Sequence, residues 1–178
     1  MFACRCTWVL LAVVVMVVSG CNSGDNTTDA DSGDTGKPSA DGAKYLLAEE
    51  PADAQEVCEV RKTAADGDEV VVVGRIGGEK DPWVEGMAAF RIADTSLKAC
   101  NEREGDMCTE PWDFCCAPKL ADNIMLVKVV DATNKIVSSG AKDLLGVKEL
   151  QTVVIQGTAE RDDVGNVTIL AKGIHVRP

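Results

Sequence analysis

The chain holds eight cysteines, and four of them, Cys100, Cys108, Cys115 and Cys116, fall within seventeen residues. Sulfur concentrated in this way supports two kinds of chemistry, cross-linking by oxidation or capture of a soft metal ion. Oxidation would give two disulfides, with three possible pairings. A bond between the adjacent Cys115 and Cys116 would be a strained vicinal ring. The preferred sets are therefore Cys100–Cys115 with Cys108–Cys116, or Cys100–Cys116 with Cys108–Cys115. Each bridge contributes about 2–4 kcal/mol. The alternative is a thiolate site for zinc or cuprous copper. Zinc knuckles usually present two Cys-x-x-Cys pairs, whereas the spacing here is C-x7-C-x6-C-C. The only histidine, His175, lies far along the chain in a strand-like segment and reads as an ordinary strand residue. No Cys-x-x-Cys follows a strand and opens a helix, so thioredoxin-like exchange is not indicated. A disulfide staple with no cofactor is the expectation, and a zinc or copper site the alternative.

The redox compartment bears on that choice, and another cysteine speaks to it. Arg5 gives a positive start, residues 7–18 are almost wholly apolar, and Ser19-Gly20 precede Cys21. This is the layout of an export signal. Its apolar run is about a dozen residues, short of the roughly twenty that a membrane-spanning helix needs. A small-residue ending before Cys resembles the signal of bacterial lipoproteins, in which the Cys sulfur is lipidated and the preceding chain removed. Residues 1–20 are thus expected to be signal peptide and Cys21 the lipidated (palmitate-bearing) N-terminus. The protein would be tethered to a membrane in the cell envelope, facing the periplasm or exterior. Cys4 and Cys6 would leave with the signal, and oxidising surroundings would favour disulfides.

Residues 21–44 are rich in Asn, Ser, Gly, Asp and Thr before Lys44. Such a stretch buries too little surface to offset its ordering entropy and reads as a flexible tether. Its acids do not match an EF-hand calcium register. Residues 45–178, about 134 in number, suffice for one domain with one core.

The elements that must position the sulfurs are legible within that domain. Pro51 and the spacing of Ala54, Val57, Cys58 and Arg61 predict a helix over residues 52–64, with Val57 and Cys58 facing the core. Burial makes Cys58 an inert thiol. Strands are predicted over residues 69–76, 87–93, 124–131, 152–159 and 167–176, with a small helix over 143–150. Gly74, inside the first strand, marks a bulge or sharp bend. Asp131-Ala132-Thr133-Asn134 and the acidic 161–166 segment read as turns. The four clustered cysteines fall in a loop of residues 97–119 between strands two and three. A link of this length needs internal staples.

A bent first strand and a helical link between the third and fourth strands resemble an OB-fold. The fold class expected is mainly β: a five-stranded OB-fold-like barrel with a short N-terminal helix and an inserted Cys-rich loop. A second resemblance is local. Cys100-Asn101-Glu102, Gly105-Asp106-x-Cys108 and Pro111-Trp112-Asp113-x-Cys115-Cys116 are similar to a motif of small bacterial lipoproteins of uncharacterised function. Those lipoproteins also carry an EVVVVGRIGG-type strand before the motif and an RDD-x-GN-type turn after it. The resemblance implies the fold and the envelope location, and it brings no activity with it.

OB-fold barrels bind ligands on the second and third strands, framed by two loops. Those loops, residues 77–86 and 161–166, carry Trp83 and Arg161, while Trp112 and Asp113 sit in the Cys loop. These four are the candidate ligand contacts, although Trp83 also suits a rim anchor and Trp112 with Phe114 a small satellite core. The whole chain carries 18 basic and 29 acidic side chains, a net charge of −11. Loss of Arg5 with the signal makes the mature charge about −12. Its basic residues do not cluster, which argues against nucleic acid and leaves the lipid as the membrane contact. There is no G-x-S-x-G elbow, HExxH helix or phosphate-cradling glycine loop. The expected function is a non-catalytic, membrane-tethered interaction module for an envelope protein or small ligand. The alternative function is thiolate metal binding.

Overall fold

Period-two burial builds the sheet. Met125, Val127 and Val129 point inward while Ile124, Leu126 and Lys128 between them stay partly exposed, the alternation a one-sided strand requires. The structure, a computed structural model, describes residues 36–178. The expected signal peptide, the lipidated Cys21 and the tether up to residue 35 lie outside the described residues.

The elements in chain order are β1 (Gln55–Glu56), α1 (Val57–Thr63), β2 (Glu69–Ile76), β3 (Ala89–Ala93), β4 (Ile124–Val129), α2 (Ala141–Leu145), β5 (Thr152–Arg161) and β6 (Val167–Val176). The five longer strands run in the order β2-β3-β4-β6-β5, and β5 pairs back with β2. The sheet is therefore a closed five-stranded barrel, and closure removes the exposed edges an open sheet would leave. Around it only β4 and β6 pair in parallel. The OB-like architecture expected from element order is the one observed. β1 adds a short parallel rung against Val72 and Val73 of β2.

The interior is one apolar cluster. Val72, Ile76, Phe90, Ile92, Met125, Ile155, Ile169 and Ile174 supply it from the strands, Val57 and Val60 from α1, and Leu144 and Leu145 from α2. Asp94, just past β3, is the one charged residue buried among the described residues. Its Oδ2 accepts the Cys58 amide at 2.9 Å. Its Oδ1 accepts the Ser96 hydroxyl at 2.6 Å and the Ser96 amide at 3.1 Å. Burial pushes this carboxyl up, but the bonds from Ser96 and Cys58 outweigh it and hold it below the usual aspartate range. Asp94 thereby satisfies an otherwise orphan donor in the first turn of α1.

Several local expectations are corrected. The predicted helix over 52–64 is shorter, because Gln55 and Glu56 are extended and paired with β2. The Glu56 carboxylate holds that conformation by accepting the Thr95 amide and hydroxyl at 3.1 and 2.6 Å. The buried face of α1 is Val57 with Val60, an i, i+3 pair, because consecutive helix residues diverge. Cys58 is half-buried, and burial, together with its contact to Asp94, raises its pKa. The β2–β5 register runs unbroken through Gly74, so no bulge lies there. Gly74 instead marks a close approach, since a Cβ on it would stand 2.9 Å from Ile92 Cδ1 and 3.1 Å from the Ala93 carbonyl oxygen. The bulge falls between Gln156 and Gly157 in β5. α2 ends earlier than predicted because Gly146, at φ +66°, caps it by donating to Lys142 O. Ordered packing also reaches upstream of residue 45, where the Ser39 amide donates to Leu144 O at 3.1 Å. No helix among the described residues is long and apolar enough to cross a membrane.

Candidate metal centre

Between β3 and β4 the chain makes its long excursion, and one aromatic side chain docks it. Phe114 is fully buried with Ala93, Ala99 and Ala117, in a cluster bordered by Leu97, Leu120, Ile124 and Leu150. Gly77, just after β2, makes room for it. A Cβ there would lie 2.6 Å from the Trp112 carbonyl oxygen and 2.9 Å from the Phe114 ring, and its φ of +149° favours glycine. The guanidinium of Arg75 lies over the same ring, 5.8 Å from its centroid.

Backbone and carboxylate contacts then fold the loop on itself. The Cys100 amide donates to Asp113 O at 2.8 Å, which joins the two arms that carry the sulfurs. Glu102 accepts Arg75 Nη1 at 2.8 Å and the Ala99 amide at 2.9 Å, fixing the turn around Cys100 to the barrel. Asp106 Oδ1 accepts the Cys108 amide at 2.7 Å, an Asx turn that aims the thiol. Trp112 Nε1 donates to Lys80 O at 3.0 Å, and Asp113 Oδ1 accepts the Phe114 amide at 2.7 Å.

The result is a group of sulfurs centred on Cys115. Its Sγ stands 3.3 Å from that of Cys108, 3.6 Å from Cys100 and 3.7 Å from Cys116. The sulfurs of Cys100, Cys108 and Cys115 all lie within 4.8 Å of one another. Cys100 is buried beneath the group, and the other three are exposed. The predicted pair of disulfides is not found, since these separations exceed the S–S bond of about 2.05 Å, and all five described cysteines are free. Cys115 has three sulfur neighbours, so no single pairing is singled out. The spacing suits a shared ion: sulfurs arranged tetrahedrally at about 2.3 Å from zinc lie about 3.8 Å apart.

Contact with Cys115, then with Cys100, pushes the Cys108 thiol far above the usual cysteine range. For Cys115 the contact with Cys108 acts downward, while Cys100 and Cys116 act upward, and the thiol is pushed up to about 11. Both are therefore protonated at neutral pH, and a metal ion would displace those protons.

Of the other predicted residues, the structure brings Trp112, beside Asp113, onto the 77–86 loop that carries Trp83, through its bond to Lys80 O, and leaves Arg161 at the far end of β5. Trp112 and Asp113 belong to the arm that carries Cys115 and Cys116. Trp83 is a half-buried rim anchor: its Nε1 donates to Glu149 Oε1 at 2.7 Å, and its ring packs 5.9 Å from that of Phe90. Arg161 spends its guanidinium on the carbonyls of Arg61, Ala64 and Gly165. The loops that carry Trp83 and Arg161 leave opposite ends of the β2–β5 ladder, where Arg75 faces Thr152 and Glu69 faces Thr158. His175 is a β6 residue whose Nδ1 lies 3.1 Å from Leu47 O. The residue pattern assigned no positioning role to Arg75, Glu102 or Asp106, although the last two stand in the Cys-rich motif. Of these only Asp106-x-Cys108 carried a local signal, an Asp two residues before the amide it accepts.

No protein-family model matches the chain, and no curated protein does.

Proposed function

We propose that the protein is a lipid-anchored protein of the cell envelope whose OB-like barrel displays a thiolate site for a soft d10 metal ion. Cys100, Cys108 and Cys115 are its ligands, the barrel is a non-catalytic scaffold, and zinc and cuprous copper are the two ions that suit sulfur donors. The observation that carries this reading is the convergence of those three sulfurs within 4.8 Å. The anchor rests on the sequence ending Val18-Ser19-Gly20-Cys21. A thiolate site also explains how thiols survive in an oxidising compartment, since a bound ion occupies the lone pairs that an oxidant would attack.

Intact mass of the purified mature chain, which begins at the lipidated Cys21, measured native and denatured, tests the site. One metal ion per native chain, with Cys58 and all four loop thiols alkylatable after denaturation, supports it. A denatured mass four protons below the reduced value, with Cys58 as the one alkylatable thiol, overturns it and restores the disulfide staple. The anchor has its own test: Cys21→Ser should move the protein from the membrane to the soluble fraction.

A further inference from the structure

Around the trithiolate the chain places donors that the ligand set does not use. Cys116 lies 3.7 Å from Cys115 by its sulfur but is not among the three that share mutual 4.8 Å spacing. Met107 adjoins Cys108 in sequence and is 93 % exposed, a thioether held out in water. Met107, Cys108, Cys116, Asp106 and Arg103 line one open depression of about 530 Å³. The Arg103 Nε–H is the one buried side-chain polar atom without a partner among the described residues.

We infer that the ion is cuprous copper, and that Cys116 and Met107 form the step by which it enters and leaves the trithiolate. This rests on the metal-binding reading proposed above. Structural zinc sites almost always complete four ligands, whereas the convergent set here has three sulfurs. Thioether sulfur selects cuprous copper and offers little to zinc. Three thiolates around a monovalent ion leave two negative charges, of which the Arg103 guanidinium, in the lining of the same depression, would offset one. Transfer then needs no change of oxidation state. As the copper–sulfur bond to Cys108 lengthens, one to Cys116 forms, and the proton that leaves Cys116 passes to the freed Cys108 thiolate. Met107 takes the next position before an incoming acceptor. On release, the thiolates recover their protons from solvent.

The test uses the mature chain, with Cys21 lipidated, under anaerobic, reducing conditions. Offered equimolar cuprous copper and zinc, the wild type should retain one copper. Transfer of that copper to bathocuproine disulfonate is then timed in the wild type and in the Met107→Leu/Cys116→Ser double variant. The triad still sets the stoichiometry in the variant, and its transfer should slow by about tenfold. An unchanged rate with copper bound overturns the relay, and zinc displacing copper overturns the choice of ion. Binding of neither metal overturns the metal-binding reading itself.

Discussion

The barrel and the Cys-rich loop are held together by different physics. In the barrel, backbone ladders close on themselves, with β5 and β6 paired from Val153↔Val176 to Arg161↔Val167. Inside, Phe90, Ile76, Ile92, Met125, Ile155, Ile169 and Ile174 are all fully buried. The loop has one large, fully buried side chain, Phe114, and otherwise relies on scattered polar ties. The convergent sulfurs stand on the less determined of the two regions. A rigid frame fixes where the loop starts and ends, and on the proposed metal-binding reading the loop would close its sulfurs around an ion.

Removing the same ring from each region probes that contrast most strongly. Phe90→Ala should cost about 3–5 kcal/mol of global stability in denaturant titrations. Phe114→Ala should leave the main unfolding transition far less affected and instead abolish metal uptake. Equal losses in the two variants would mean that loop and barrel are one cooperative unit. Next in size is the sulfur hub. Cys115→Ser removes the one thiol that neighbours all three others, so metal stoichiometry should fall to zero. Without metal, its stability should stay within about 0.5 kcal/mol of the wild type, because the side chain is exposed. A large loss in the metal-free state would show that the thiols support the fold directly.

The same contrast explains what could be read in advance. The five barrel strands were legible because burial on one face imposes alternation, as in Ile124–Val129, and closure imposes element order. The cysteine cluster was legible as chemistry but not as a state. Sulfur spacing depends on the Cys100–Asp113 and Glu102–Arg75 contacts, which bring together residues distant in sequence. Trp83 and Arg161 were candidate ligand contacts because their types suit binding, with a rim anchor the other reading of Trp83. Their polar atoms are consumed by Glu149 and by the end of α1, which no local pattern announces. The start of α1 was misplaced because the tertiary pairing of Gln55 and Glu56 with β2 overrode the local preference for helix.

At the joint between the regions, just beyond β3, Asp94 caps α1. Asp94→Asn should cost about 1–3 kcal/mol at neutral pH, the worth of hydrogen bonds to a buried charged acceptor. Its folded carboxyl titrates below the usual value. The stability it contributes is therefore present above the unfolded aspartate pKa of about 3.9 and is lost as pH falls through the lower folded value. Acid titrations of the wild type and Asp94→Asn should converge at the low end. A gap that persists there would mean that Asp94 acts by packing and not by charge.

The smallest effect is expected at the tie between loop and frame. Glu102 joins the loop to β2 through Arg75, with the glutamate side chain 39 % exposed. Such a pair contributes less than about 1 kcal/mol. Glu102→Gln keeps an acceptor for the Ala99 amide but removes the charge that faces the guanidinium, so global stability should hardly move. Loop opening should become more frequent, and amides of Ala99 to Arg103 should exchange with solvent roughly fivefold faster, the factor that about 1 kcal/mol sets. Amides in the β2–β5 ladder should keep their wild-type rates. If the ladder speeds up by the same factor, the loop does not open on its own, and the division between a rigid frame and a separately held sulfur centre fails. If only the loop responds, the Arg75–Glu102 pair is the tie that holds Cys100 in register with the arm that carries Cys115.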